Sequence, residues 1–315
     1  MVITRHGGPE VFTWQERPKP LVNEFDVLVQ VRATSITPVD SKLRSGYFVT
    51  RHFPLILGYD VSGIVVEAGD RVSKFQIGDE VYASLNILRD GANAEYVAAD
   101  SRSIALKPKT IDHATAAILP RAAIAAWEAL HQHARVQPGQ TVLIHAGAGG
   151  VGHLAVQLAK SHGCHTIVTA SRKEAMRFCR DTLKADEVID YKSMDFVQQV
   201  MSISPDKGHP IVIETNSNDL WARSLDGMAT SPQLPPSEEK LFLKKATQYH
   251  ESVGFPAAYK LHLDRQRQIL SLISELVDSA QLVPHIAYKL KLSEVARGHA
   301  LQESGNIIGT ISVEL

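Results

Sequence analysis

The sequence has few cysteines and no long hydrophobic run. Only two of its 315 residues are cysteines, Cys164 and Cys179, which argues against a disulfide framework. Apolar runs such as residues 53–57 and 211–213 fall far short of the roughly 20 residues that span a bilayer. The residues after Met1 contain no apolar signal core. We therefore expect a soluble protein of the reducing cytoplasm that does not enter a membrane.

The sequence also lacks an excess of either charge. It has 33 lysines and arginines and 34 aspartates and glutamates, which gives a formal net charge of -1. A nucleic-acid-binding protein concentrates basic residues on one face or segment, so we expect no nucleic-acid partner and a small-molecule substrate instead. The length suits two domains of ordinary size.

The most informative segment that is present is a glycine-rich turn between a strand pattern and a helix pattern. Residues 141–144 are apolar, residues 146–152 contain four glycines, and an amphipathic helix pattern follows. We expect Gly147 to permit a tight turn, Gly149 to let the backbone approach a pyrophosphate, and Gly152 to pack the helix on its strand. Together with Ala148, Gly150 and Val151, these glycines form a predicted dinucleotide cradle, and the strand and helix on either side strengthen that interpretation.

The secondary-structure pattern of the sequence changes near residue 110. Up to about residue 110, short strand patterns at 26–33, 63–68, 79–83 and 94–98 are separated by glycine and proline, which is typical of a barrel-like β domain. Beyond it, helix patterns, for instance at 174–183 and 193–201, alternate with strands at 166–170, 187–190 and 210–215, as a doubly wound parallel sheet requires. We predict an α/β protein whose Rossmann domain spans residues 116–282. A helix at 263–280, a helix near 293–302 and a strand at 307–313 close the chain, and residues 231–239 are predicted as a loop.

Several blocks agree in order and spacing with one family. They are residues 7–11 (Gly-Gly-Pro-Glu-Val), 37–40 (Thr-Pro-Val-Asp), 44–47 (Arg-Ser-Gly-Tyr), 58–65, 94–97, 119–127 and 146–152. The ordered set resembles the zinc-independent quinone oxidoreductase branch of the medium-chain dehydrogenase/reductase superfamily. The resemblance implies a β-rich GroES-like catalytic domain made of residues 1–115 and 283–315, with the Rossmann domain inserted between them. It also implies a homodimer that transfers hydride from a nicotinamide to a quinone or an α,β-unsaturated carbonyl compound.

Zinc ligands are missing from the matching positions. The alcohol dehydrogenase relatives hold a catalytic ion with a cysteine in the cleft loop and a histidine in the next block, where this chain has Thr37 and Tyr59. Two cysteines also cannot form the four-cysteine structural zinc site of those relatives. We predict no metal, and without a Lewis acid to stabilise an alkoxide, alcohol oxidation is poorly supported.

The type of nicotinamide is indicated after the second Rossmann strand. A binder of unphosphorylated NAD places a carboxylate there, whereas this chain has Ser171, Arg172 and Lys173. A hydroxyl and two cations suit a 2'-phosphate, so we predict NADPH as the cofactor; the alternative is that these residues are only the solvated start of a helix that contains Glu174. By the resemblance, Tyr191 lies near the phosphate-bearing ribose, although it could equally cover the edge of the sheet.

In the cleft, Tyr47 is the candidate for substrate contact. A phenol can donate a hydrogen bond to a quinone or enone oxygen as negative charge develops, and Thr37 and Asp40 are expected to help orient it. The alternative is an ordinary half-buried aromatic side chain. We interpret Asp60 as the structural partner of an arginine such as Arg44, and water can supply the proton after hydride transfer.

The chain departs from the family pattern around the nicotinamide. Thr37 replaces an asparagine, Arg121 stands where a small or apolar residue is common, Ala125 replaces a threonine, and residues 214–218 are bulkier than the family's glycine turn. A second hypothesis is therefore an NADPH-binding structural or regulatory protein with little turnover. A third is an enoyl-thioester reductase, which requires a cleft long enough for a pantetheine arm.

Overall fold

The computed structural model describes residues 1–47, 52–203, 211–214 and 262–315. These residues belong to two compact units. Unit 1 comprises residues 1–124 and 252–315, and unit 2 comprises residues 125–251. The sequence placed the domain boundaries after residues 115 and 282, and those boundaries stay predictions.

The strands and helices of the described residues are as follows. The strands are β1 Val2–Ile3, β2 Phe12–Thr13, β3 Asp26–Ile36, β4 Asp60–Ala68, β5 Glu80–Ser84, β6 Tyr96–Asp100, β7 Ala105–Leu106, β8 Thr141–Ile144, β9 His165–Ala170, β10 Glu187–Asp190, β11 Ile211–Ile213, β12 Ile286–Lys291 and β13 Thr310–Glu314. The α-helices are α1 Pro38–Ser45, α2 His113–Ala116, α3 Pro120–Trp127, α4 Gly152–Ser161, α5 Lys173–Arg177, α6 Phe196–Ile203, α7 Leu263–Asp278 and α8 Val295–Glu303. None of them is both long enough and apolar enough to span a bilayer.

Unit 1 is built on one large sheet with the order β12-β13-β3-β4-β5-β7. Strand β3 has eleven residues, and one of its edges is shared: its first half pairs with β6 and its second half with β13. Ile311 near the C-terminus therefore lies opposite Ile36. This pairing joins segments from both parts of the chain in one sheet, as the resemblance implies for the catalytic domain.

Unit 2 contains the predicted parallel sheet, with the order β10-β9-β8-β11. Its core is made of apolar side chains from the strands and from α6: Leu143, Ile167, Ile189, Phe196 and Val200. Because all four strands run in the same direction, their carboxyl ends meet at one edge, where a doubly wound sheet binds its ligand.

Helix boundaries differ from the predicted ones where an α-helix continues as a π-helical turn. The predicted helix at 174–183 is α5 followed by a π-helical turn, Phe178–Thr182, and α3 likewise continues as a π-helical turn, Glu128–His133. Pro120 begins α3, because proline is tolerated in the first turn of a helix but not within it. The predicted loop at 231–239 lies outside the described residues.

Candidate functional site

The first part of the site is the cradle, which we define as residues 147–152 between β8 and α4. A Cβ atom on Gly147 would overlap Val168 Cγ1 of β9, and one on Gly152 would overlap the carbonyl oxygen of Ala146. Ala146, not Gly147, adopts the left-handed conformation of the turn, with φ 50°. The expectation for Gly147 is therefore corrected: its missing side chain lets the turn approach β9.

The outer side of the cradle is open. A Cβ atom on Gly149 would meet only the Ala146 carbonyl oxygen, at 3.2 Å. Gly149, Gly150 and Val151 are partly exposed, whereas Gly147, Ala148 and Gly152 are buried. The first turn of a helix has amide groups without an intrahelical acceptor, so a pyrophosphate fits against the start of α4.

Thr169 attaches the cradle to the end of β9. Its carbonyl oxygen accepts a bond from the Gly147 amide at 3.2 Å, and its Oγ1 atom accepts one from the Ala146 amide at 3.3 Å. The Oγ1 atom also lies 3.0 Å from Nδ1 of the buried His145. Neither positioning residue was predicted from the sequence, although a polar side chain inside an apolar strand is a usable signal.

Ser171, Arg172 and Lys173 follow directly after this attachment point. Ser171 and Arg172 are partly buried, Lys173 is exposed, and α5 begins at Lys173. The structure thus brings the proposed 2'-phosphate residues next to the cradle. Tyr191 follows β10 and packs on the core of the parallel sheet; its contact with a nucleotide stays a prediction.

In unit 1, Thr37 and Asp40 are in direct contact. The Thr37 amide and hydroxyl donate to Asp40 Oδ2 at 2.9 and 2.6 Å, and the Gly58 amide donates to Oδ1 at 3.0 Å. Burial raises the pKa of Asp40, although these hydrogen bonds act in the opposite direction. Asp40 therefore fastens the start of α1 to the segment around Gly58, just before β4, and its oxygens are already occupied.

Tyr47 lies just after the end of α1 and is 73% exposed. The Lys42 ammonium group lies 5.4 Å from the centre of its ring. Its side chain is therefore not the half-buried aromatic of the alternative interpretation. The next residues in the chain, 48–51, lie outside the described residues, and the substrate contact of Tyr47 stays a prediction.

Asp60 has a different partner from the one expected. Its Oδ1 atom accepts a bond from the Arg121 amide at 3.1 Å, and its Oδ2 atom accepts one from the Ser35 hydroxyl at 3.3 Å. Burial raises the pKa of Asp60 to about 7 against the opposing charge of Arg121. Arg44 instead donates to Glu303 and His299, so the proposed Asp60–Arg44 pair is wrong.

Asp40, Tyr59, Asp60 and Arg121 form what we call the Arg121 cluster. Tyr59 and both aspartates are buried, and Arg121 is partly buried. The Arg121 charge acts on the three other side chains. The sequence analysis noted Tyr59 and Arg121 only as departures from the family, because nothing local shows that they meet.

Metal ligands are not gathered anywhere in the described part of the chain. No three histidine, cysteine, aspartate or glutamate side chains among those residues lie close enough to hold an ion. Cys164 and Cys179 are buried and free, and burial raises the pKa of Cys179 to about 12.

Comparison with known proteins agrees with this geometry. Residues 23–109 match the family described as alcohol dehydrogenase GroES-like domain, and residues 150–231 match the zinc-binding dehydrogenase family. The quinone oxidoreductase of Rattus norvegicus is 33% identical over 233 residues, which are 71% of this chain and 70% of the rat protein. The chain belongs to the quinone oxidoreductase branch of the medium-chain dehydrogenase/reductase superfamily. The predicted family and its oxidoreductase class are thereby confirmed.

Two further proteins are similar to this chain. The human "NAD(P)H oxidoreductase RTN4IP1, mitochondrial" is 36% identical over 225 residues, which are 65% of this chain and 56% of the human protein. The matched part thus spans little more than half of that relative. The solved quinone oxidoreductase of Coxiella burnetii is 29% identical to this chain, with a TM-score of 0.84. The superposition covers 100% of this chain and 98% of the Coxiella chain. The human name includes a mitochondrial location, so the cytoplasmic location predicted from the sequence is not supported and, like the homodimer, stays a prediction.

Proposed function

We propose that the protein is an NADPH-dependent, zinc-independent reductase of quinones or α,β-unsaturated carbonyl compounds. One observation carries the proposal: the open cradle lies beside Ser171, Arg172 and Lys173. Backbone amides of the cradle bind the pyrophosphate, and the hydroxyl and the two cations bind the 2'-phosphate. The names of the human and rat relatives support a nicotinamide and a quinone in these roles.

The acceptor chemistry follows from the side chains of unit 1. When bound, NADPH supplies a hydride to a carbon that is conjugated with a carbonyl group. In this proposal, the Tyr47 phenol donates a hydrogen bond to the acceptor oxygen. Thr37 and Asp40 hold the start of the helix that ends just before Tyr47, and water supplies the proton.

The full chain tests this proposal directly. We expect the absorbance of reduced nicotinamide to fall when NADPH is mixed with the protein and a quinone or an enone, and we expect a chelator to change nothing. NADH should be a poorer donor. Nucleotide binding without hydride transfer to any member of a broad acceptor panel would overturn the proposal.

A second candidate is a nucleotide-binding protein with little turnover. It is favoured by Ala125, which offers no hydroxyl where the family has a threonine. This candidate predicts that NADPH raises the unfolding temperature while no acceptor is reduced, and that Ala125→Thr restores turnover. Turnover by the unaltered chain excludes it.

A further inference from the structure

Within the part of the chain that the structure describes, the Arg121 cluster contains three buried hydrogen-bond donors that have no acceptor. They are the Nε and Nη2 groups of Arg121 and the Tyr59 hydroxyl. Buried donors are paired in the great majority of native structures, and an unpaired one is costly. A guanidinium also presents its donors in a fixed planar fork that suits an oxygen ligand. The cluster is therefore incomplete as it stands.

The neighbouring carboxylates do not complete it. Asp40 accepts its bonds from Thr37 and Gly58, and Asp60 uses the backbone amide of Arg121 rather than its guanidinium. Among the described residues, Arg121 forms no ion pair with a carboxylate. The negative charge of the two aspartates lowers the free-energy cost of burying the Arg121 guanidinium, but the Nε and Nη2 groups still have no acceptor among the described residues.

The backbone holds Arg121 in this position. The Arg121 backbone amide, which donates a hydrogen bond to Asp60 Oδ1, lies at the start of α3, directly after Pro120. Asp60 in turn begins β4, directly after Tyr59, so the two donor side chains come from segments joined by this hydrogen bond. A carbonyl oxygen that acquires negative charge is the ligand that two guanidinium N–H groups and a phenol would recognise.

We propose that Arg121, assisted by Tyr59, is an oxyanion-binding group for the acceptor of the reductase proposed above. Hydride adds to the β-carbon of an enone, the carbon–carbon π electrons move toward the carbonyl, and the oxygen becomes an enolate held by Arg121. A proton from water then adds to the α-carbon and restores the ketone. For a quinone, the same group holds the hydroquinone anion before water protonates it.

Turnover gives the first test. We expect Arg121→Leu to lower kcat/KM for an enone by about 100-fold, the effect of losing one preorganised oxyanion donor, without a change in the Kd for NADPH. Arg121→Lys should recover part of the activity, and added guanidinium ion should rescue Arg121→Ala. Arg71→Leu is the matched control, because Arg71 is exposed and paired with Glu24 in the same unit. Equal loss in the control, or no rescue, would overturn the proposal.

Binding gives a second test that needs no turnover. 4-Nitrophenol is a redox-inactive mimic of a hydroquinone anion, and its absorbance reports its own ionisation. A cation within a few ångströms should lower the pKa of the bound probe by about one unit or more. We expect this shift in the unaltered chain and in Arg71→Leu, and its loss in Arg121→Leu and, in part, in Tyr59→Phe. An unshifted probe in the unaltered chain would refute the oxyanion site even if quinones are reduced. A shifted probe without any turnover would refute the proposed reaction and leave the site standing.

Discussion

The cradle and the Arg121 cluster are built by opposite means. The cradle is six consecutive residues that bind through backbone groups, and it depends on atoms that are missing at Gly147, Gly149 and Gly152. The Arg121 cluster takes side chains from three separate segments and depends on atoms that are present, buried and charged. The cradle should therefore be sensitive to added side-chain volume, whereas the Arg121 cluster should be sensitive to the loss of any partner.

Removing a carboxylate from the cluster should have the largest effect. Asp40→Ala leaves the Thr37 amide, the Thr37 hydroxyl and the Gly58 amide without their acceptor. We expect a loss of about 3–5 kcal/mol in the free energy of unfolding, measured by urea denaturation. Asp40→Asn keeps one acceptor oxygen and should lose less. Unchanged stability of Asp40→Ala would show that side-chain pairing does not hold the cluster.

Next in size is the charge beside the cradle. Replacing both Arg172 and Lys173 by serine should lower the preference for NADPH over NADH by about 1.5–3 kcal/mol, the range for charge-assisted hydrogen bonds. Calorimetric titration with both nucleotides measures the preference. Arg180→Ser removes an exposed charge from the same unit and should leave it unchanged. An unaltered preference in the double variant would favour the interpretation of these residues as a solvated helix start.

Two glycines of the cradle should respond differently to one added methyl group. Gly152→Ala forces the turn to move, because its Cβ atom overlaps a backbone oxygen. We expect the Kd for NADPH to rise about 10- to 100-fold, or roughly 1.4–2.7 kcal/mol, together with a lower Tm.

Gly149→Ala should weaken NADPH binding with a smaller loss of Tm than Gly152→Ala, because its Cβ atom would lie 3.2 Å from the Ala146 carbonyl oxygen, a tight contact that a small shift of the turn relieves. Both values come from thermal unfolding and calorimetry of the same samples. If Gly149→Ala bound NADPH normally, the pyrophosphate would not lie against this face.

The smallest expected effect is a loss of folding stability at acidic pH through His299. His299 is fully buried beside Arg44 in unit 1, and burial together with the Arg44 charge lowers its pKa to about 3. The folded chain therefore keeps this imidazole neutral, whereas the unfolded chain binds a proton below its ordinary pKa of about 6.5. Stability from this group is present above that pH and is lost as the pH falls toward 3, by about 1.4 kcal/mol at pH 5.5.

Urea midpoints measured between pH 5.5 and 8 test this effect. His299→Gln retains an acceptor for the Arg44 Nε group but does not titrate, so it should remove this part of the acid loss. An identical pH dependence in the variant would show that other groups in the chain cause the loss.

Periodicity and turn residues predicted much of the fold. The strand at 187–190 agrees with β10, and the helix predicted at 263–280 is α7, which ends two residues earlier. Strand β3 was predicted three residues too short, because the polar Thr34 and Ser35 interrupt its apolar pattern and pair with β13 from the far end of the chain. That pairing has no local signal. The same limit applies to Asp60, whose partner Arg121 is 61 residues away in sequence.

The cradle could be predicted without a structure, because a site made of backbone groups needs only glycines at the right spacing between a strand and a helix. The family could be predicted as well, from an ordered series of short blocks. That Arg121, and not Arg44, adjoins Asp60, and that Tyr59 lies with them, became visible only in the folded chain. A charged side chain that is removed from water depends on its partners, and those partners come from segments that lie far apart in the sequence.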